Sequence, residues 1–242
     1  MEEFSPFRAV FNLYETTPPA PGFESFLEGV KHTFDFVEKD PSFVVGQLHK
    51  NLDPEGLFKF AHYASFRDGS FQAFKREPSP EWLAAIEEGH GKWGHQIRHP
   101  GGFEEIASWS GEKWCPATRV ADNSIFLLSM FKDVPEDFEE NWKTLSGAVI
   151  LSESLPEGVV FHQAGLYRKL GGPTQFRYIL RCEVLPVSSD SSAVLGSLGD
   201  IRKKLSEDGV PFVNLSAYKI IDVSNEIRES AVVEPEGKES SL

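Results

Sequence analysis

Sulfur is scarce in this chain, and long apolar runs are missing. Two cysteines, Cys115 and Cys182, occur among 242 residues. They stand in different halves without close spacing, which excludes a disulfide framework and a zinc knuckle. The longest apolar stretch, around Ile125 to Phe131, is far shorter than the ~20 residues that cross a bilayer. The opening Met1-Glu2-Glu3-Phe4 has neither the basic start nor the apolar core of a secretory signal. Positive charge is also in deficit, with 24 Lys and Arg against 37 Asp and Glu and a formal net charge of -13. No Lys/Arg-rich run offsets it locally, so phosphate backbones are repelled and nucleic acid is excluded as a partner. These absences lead us to expect a soluble, cytoplasmic chain without a membrane partner.

Chemical motifs are equally sparse. G-x-S-x-G, H-E-x-x-H, P-loop and C-x-x-C patterns do not occur, which removes the usual support for hydrolase, metalloprotease and nucleotidase readings. Gly89-His90-Gly91-Lys92-Trp93-Gly94 matches G-x-G-x-x-G formally, but it follows a helical pattern instead of a strand. His90, His95 and His99 are spaced so that a helix would spread them, and the intervening glycines argue against a helix; no metal site is expected. Asn214-Leu215-Ser216 is a formal glycosylation sequon inside a predicted strand.

What the chain does have is phenylalanine and internal repetition. Twenty Phe accompany five Tyr and five Trp, a filling suited to cores between sheets and helices and to pockets for flat apolar ligands. The second half echoes the first about 115 to 119 residues later. Phe23-Glu24 returns as Phe138-Glu139, Gly46 and Lys50 as Gly165 and Lys169, and Phe58-Lys59-Phe60 as Phe176-Arg177-Tyr178. A unit with one unfinished sheet face can cover it with a copy of itself.

Periodicity supplies the elements. Phe7 to Tyr14 reads as a strand, and Phe23, Phe26, Leu27, Val30, Phe34 and Val37 mark an amphipathic helix that Asp40-Pro41 ends. Strands Phe43 to Asn51 and Leu57 to Phe66 follow, joined by a turn at Asp53-Pro54-Glu55-Gly56. A helix spans Ser70 to Gly89 with an interruption at Pro78-Ser79-Pro80, and a fourth strand runs from Phe103 to Trp109. The same order returns as strand Ser124 to Phe131, helix Pro135 to Leu151, hairpin Val159 to Lys169 and Gln175 to Leu185, helix Val194 to Ser206 and strand Phe212 to Val223. The predicted fold class is α+β: two ferredoxin-like βαββαβ units. Their bounds are 1–109 and 124–224, with a linker at 110–123 and an acidic, disordered tail at 225–242.

Leu48-His49-Lys50-Asn51-Leu52-Asp53-Pro54-Glu55-Gly56-Leu57-Phe58-Lys59-Phe60, continuing through Ala61 to Asp68 and Phe71-Gln72-Ala73-Phe74, resembles the antibiotic biosynthesis monooxygenase family. The resemblance covers Phe7 to about His95; the second half is similar in element order. It implies a dimeric α+β barrel, two four-stranded antiparallel sheets face to face with helices outside, here closed within one chain as a monomer or weak homodimer. It also implies a small aromatic or apolar ligand held between a sheet and its own helices, and cofactor-independent oxygenation of a phenolic substrate. A non-catalytic ligand-binding or structural protein on the same fold is the alternative, and the heme-degrading branch of the family is a further one.

Strand alternation groups Asn12 with Tyr14 and Gln47 with His49, and either pair suits a cavity wall. It also puts Phe58, Phe60, His62, Ala64 and Phe66 on one face. An imidazole among aromatics is placed to accept a phenolic proton, so His62 is the first candidate for a catalytic base and His49 the second. Asn12, Tyr14, Gln47, Phe58, Phe60 and Phe66 are the expected substrate-binding residues, with no metal and no cofactor. In the heme-degrading pattern Asn12 and His90 would correspond to the strand asparagine and the axial histidine. Arg177 and Arg181, four residues apart on one strand, read as a solvent-facing pair.

Overall fold

The computed structural model describes residues 7–92, 98–110, 123–171, 176–188 and 190–232. Eight antiparallel strands form a closed barrel: β1 (Arg8–Tyr14), β2 (Phe43–Asn51), β3 (Phe60–Phe66), β4 (Arg98–Ser110), β5 (Ile125–Phe131), β6 (Val159–Lys169), β7 (Tyr178–Pro186) and β8 (Phe212–Ile221). Around the barrel the order is β1-β3-β2-β8-β5-β7-β6-β4. The first four strands therefore lie as β4-β1-β3-β2 and the last four as β8-β5-β7-β6, one order occurring twice. Two seams join them: β2 to β8 from Leu48↔Ile221 to Asn51↔Tyr218, and β4 to β6 from Phe103↔Lys169 to Ser110↔Gln163.

Alternation along each strand divides the side chains between barrel interior and outer face. On β1, Ala9, Phe11 and Leu13 point inward, joined by Ala61 and Tyr63 of β3, Phe103, Phe126, Leu128, Tyr167 and Tyr218. Phe11 alone packs against Tyr63, Phe103 and Tyr167 with ring centroids 5.1 to 5.3 Å apart. The interior is thus filled with rings, in the manner of a small barrel.

Helices cover the outer face. Ser25 caps α1 (Phe26–Val37), its hydroxyl accepting from Glu28 N at 3.3 Å, so the helix starts three residues after the expected Phe23. Ser79 caps α2 (Pro80–His90), which ends at Gly91 with φ +72°. The expected Ser70–Gly89 helix is therefore a 3₁₀ turn at Gln72–Phe74 followed by α2, because the prolines at 78 and 80 permit a helix only from 80 onward. In place of one Pro135–Leu151 helix stand two short ones, α3 (Trp142–Leu145) and α4 (Ala148–Glu153). Gly147, left-handed at φ +73°, breaks them; a Cβ there would lie 2.2 Å from Leu205 on α5 (Ser192–Glu207). The expected disordered tail also needs correction over its first part, since Val223–Val232 forms α6. Asp222 accepts from Asn225 N at its start, and Glu226 pairs with Lys50 of β2 at 2.9 Å.

No helix among the described residues is long and apolar enough to cross a membrane. The helices α1 and α2 approach closely through two glycines. A Cβ on Gly29 would lie 2.2 Å from Gly89 O, and one on Gly89 would lie 2.2 Å from Thr33 Oγ1. Gly89→Ala is expected to cost about 1–3 kcal/mol through this overpacking. Gly199→Ala, on the open face of α5 with no atom near the added methyl, should be neutral or gain up to ~1 kcal/mol. Urea midpoints at unchanged m-value check both, and equal effects would refute the close-approach account.

Candidate functional site

Between the outer face of β1, β3 and β4 and the helices α1 and α2 lies a cavity of about 470 Å³. Its apolar wall includes Val10, Ala64, Phe66, Phe71 and Trp82; its polar wall is Asn12, Thr33, His62, His90 and Arg98, with Lys169 reaching in from β6. The matching space beneath α3, α4 and α5 is filled by Phe138, Trp142, Leu151, Leu198, Ile201 and Leu205.

Register brings the polar wall together. Asn12 lies opposite His62 in the β1–β3 pair, and their side chains meet with Asn12 Nδ2 2.8 Å from His62 Nδ1. In this setting the amide donates, Nδ1 accepts, and the ring proton sits on Nε2. With the amide turned over, Oδ1 accepts from Nδ1–H and Nε2 presents a lone pair. Asn12 thus sets which form of the imidazole faces a ligand. The His62 ring also lies 4.5 Å from the Phe34 ring of α1. Burial, reinforced by the charge of Arg98, pulls its pKa down to about 3.

His90, at the end of α2, is held the same way. Its Nε2 lies 3.4 Å from Thr33 Oγ1, which itself donates to Gly29 O at 3.1 Å. Burial, and then Arg98, lower its pKa to about 3. Arg98 is 3% exposed, stands opposite Tyr14 in the β1–β4 pair, and forms no ion pair among the described residues. Tyr14 does not supply a counter-charge, because burial raises its hydroxyl to about 12.

The other expected residues divide sharply. Phe66 lines the cavity. Tyr14 and Phe60 lie beside it, packed with Phe26 at 5.0 and 5.4 Å. Phe58 is not on the His62 face; it precedes β3 and points into the barrel, 5.8 Å from Phe176 and 5.5 Å from His99. Gln47 and His49 also face the interior. Gln47 Oε1 accepts from Arg181 at 3.0 Å, while His49 Nδ1 bonds Ala61 O at 3.1 Å and its ring meets Phe126 edge-on. Arg181 is therefore not solvent-facing: it is buried, its guanidinium 4.0 Å from the Phe126 ring centroid and 4.8 Å from that of Tyr63. Arg177 is exposed and precedes β7. His95 lies outside the described residues, and His99 bonds Glu15 at 2.7 Å. Among the described residues no cluster of His, Cys, Asp and Glu is arranged for a metal.

Sequence reasoning did not identify Arg98, Thr33, Trp82 or Lys169. Arg98 was legible in one respect: alternation carried back from inward Phe103 puts Gly102, Pro100 and Arg98 on the outer face.

A family model described as a domain of unknown function, DUF7153, matches residues 43–212, and the chain belongs to that family. No curated protein matches the sequence. Among solved structures, a mutant chlorite dismutase from Candidatus Nitrospira defluvii aligns with TM-score 0.51 and 9% identity, over 93% of this chain and 95% of its own. An anthrone oxidase-like protein aligns with TM-score 0.48 and 12% identity, over 89% and 92%. At such identities the likeness is one of fold alone.

The buried histidines make stability depend on pH. His49, His62 and His90 are all held well below 6.5, so on acidification the unfolded chain takes up three protons that the folded chain refuses. Each contributes about 1.4 kcal/mol per pH unit of lost stability between pH 6.5 and its folded value. Glu105 opposes them: burial raises it from 4.5 to about 8, so within that window the folded chain keeps a proton the unfolded chain loses. Stability should therefore fall as pH drops below 6.5 and fall more steeply below 4.5. Urea midpoints between pH 4 and 7.5 measure it, and a flat profile would contradict neutral burial of the histidines.

Proposed function

We propose that this DUF7153 member binds a small aromatic molecule beneath α1 and α2 and oxidises a phenolic substrate with dioxygen, without a cofactor. The observation that carries the reading is the Asn12–His62 pair facing a roomy, largely apolar cavity on one side of the barrel, while the equivalent space on the other side is packed solid. The motif resemblance of β2 and β3 to the antibiotic biosynthesis monooxygenases supports it. The twofold strand order supports an origin by internal duplication, with the barrel closed inside one chain and no partner subunit needed.

The protein's tasks in such a reaction are to deprotonate, to orient and to exclude bulk water. With the Asn12 carbonyl holding Nδ1–H, His62 Nε2 accepts the phenolic proton. A phenol near pKa 10 faces an imidazole near 3, an uphill transfer of roughly seven pKa units. Lys169, the half-buried cation of the cavity wall, offsets part of that gap by stabilising the phenolate. The phenolate then gives one electron to dioxygen, and the resulting superoxide bonds to the para carbon of the phenoxyl radical. The peroxide anion so formed takes up the proton from His62 to become a hydroperoxide, and cleavage of its O–O bond as hydroxide with loss of the ring C–H proton leaves a quinone and water.

A heme does not fit this residue set. His90 Nε2, the nitrogen an axial ligand would offer, is turned to Thr33 between the two helices. Hemin added to the protein should keep the Soret band of the free compound.

Oxygen uptake with a panel of anthrones and phenols tests the activity. His62→Ala should lower kcat by about 10²- to 10⁴-fold. Asn12→Asp, which fixes Nδ1–H, should raise the pKa of His62 as read by NMR. Measurable binding with no uptake at any pH would leave a non-catalytic binding protein, and unchanged turnover in His62→Ala would remove its role as base.

A further inference from the structure

Arg98 presents a problem that the fold alone does not solve. A guanidinium taken out of water needs a counter-charge or a full set of acceptors, since an unpaired buried charge is among the costliest features a fold can carry. Here the side chain is 3% exposed, its Nε has no acceptor, and no carboxylate pairs with it among the described residues. Among the described residues the one carboxylate on the cavity wall, Glu87, is exposed, as is Lys92. Tyr14, opposite Arg98, is held in its neutral form.

A second orphan lies in the same wall. Trp82 Nε1 is buried without an acceptor. Among the described residues both polar side-chain atoms left unsatisfied on this wall are thus donors, and burial keeps His62 and His90 neutral, so neither competes for an anion. Lys169 adds a third donor group; it is half-buried, with Nζ 3.2 Å from Pro100 O. In a chain of net charge -13, this wall gathers cations around an apolar hollow.

We infer that the natural ligand is an aromatic carboxylate, its ring body against Phe66, Phe71 and Val10 and its carboxylate on the guanidinium of Arg98. This rests on the binding cavity proposed above and names the class of molecule it takes. A carboxylate matches the planar fork of a guanidinium and remains ionised at neutral pH, whereas a phenol enters neutral. A single buried arginine among apolar walls suits a monoanion tied to a ring system better than a free phosphate.

Titration with 2-naphthoate, 2-naphthamide and 2-naphthol, followed by calorimetry, separates the possibilities. The carboxylate should bind roughly 10- to 100-fold more tightly than the amide or the phenol. Arg98→Gln should abolish that preference while still binding 2-naphthamide, and Arg98→Lys should keep part of it. If Arg98→Gln fails to fold, the ranking of the three probes on the wild-type chain still decides. Equal affinity for all three overturns the carboxylate assignment and leaves the aromatic cavity standing. No binding of any probe overturns both. Carboxylate preference without oxygen uptake from hydroxynaphthoates, which carry both the phenol and the carboxylate, overturns the oxygenase reading alone.

Discussion

The barrel is closed around a plug of aromatic rings, and that constraint decides where everything else can be. Phe11, Tyr63, Phe103, Phe126, Tyr167 and Tyr218 occupy the interior, so no ligand has room there. Closure also removes both sheet edges, because β2 finds β8 and β4 finds β6. Any functional space must then lie between the outer sheet face and the helices. Only helices that stand off the sheet can leave such a space. On one side Trp142, Phe138 and Leu205 fill it; on the other, α1 and α2 bring their backbones together at Gly29 and Gly89 while the sheet below them offers Ala64 and Gly102, residues with little or no side chain.

Interior and cavity treat polar groups by opposite rules. Inside the barrel Arg181 stacks on Phe126, donates to Gln47 across the two halves and lies near Tyr63, whose hydroxyl is 3.5 Å from that of Tyr167. There a cation is surrounded by π-faces and an amide oxygen, which ties strands of the two halves together. Under α1 and α2 the cation has no such company. Arg98 instead meets two imidazoles that cannot accept its charge and that it helps hold neutral. Both arginines keep a buried Nε without an acceptor, but Arg181 has a bonded amide oxygen and two ring faces, whereas Arg98 faces an open hollow, consistent with a partner that comes from outside.

The sequence disclosed this arrangement unevenly, for physical reasons. Alternation along Phe60, His62, Ala64 and Phe66 identified a single face correctly, because β3 is regular there. It failed at Phe58, where Asn51 Nδ2 bonds the Phe58 carbonyl at 2.6 Å and the turn has not yet become strand. Gln47 and His49 were rightly grouped, but period two cannot say which face of β2 looks inward; Leu48, packed with Tyr14 and Val30, shows that it is theirs. Arg98 sits after a glycine-rich run whose local pattern reads as loop, and its strand is fixed by pairing with β1, a long-range event. The helix breaks were half-visible: proline announced one at 78–80, whereas Gly147 depends on the packing of Leu205.

The placement of Lys169 carries the synthesis one step further. It belongs to the second half, yet its chain crosses the β4–β6 seam to lie over the Phe103 ring at 5.2 Å and reach the cavity beside Gly101. A Cβ at Gly101 would meet Lys169 Nζ at 2.2 Å and move the ammonium from this position. Leu170 follows it along the same wall. A cavity that looks like the property of the first four strands is therefore finished by the seventh of the barrel order. Opening the β4–β6 seam would remove part of its wall, so ligand binding and barrel closure stabilise one another: whatever occupies the hollow favours the closed state in proportion to how much tighter it binds there.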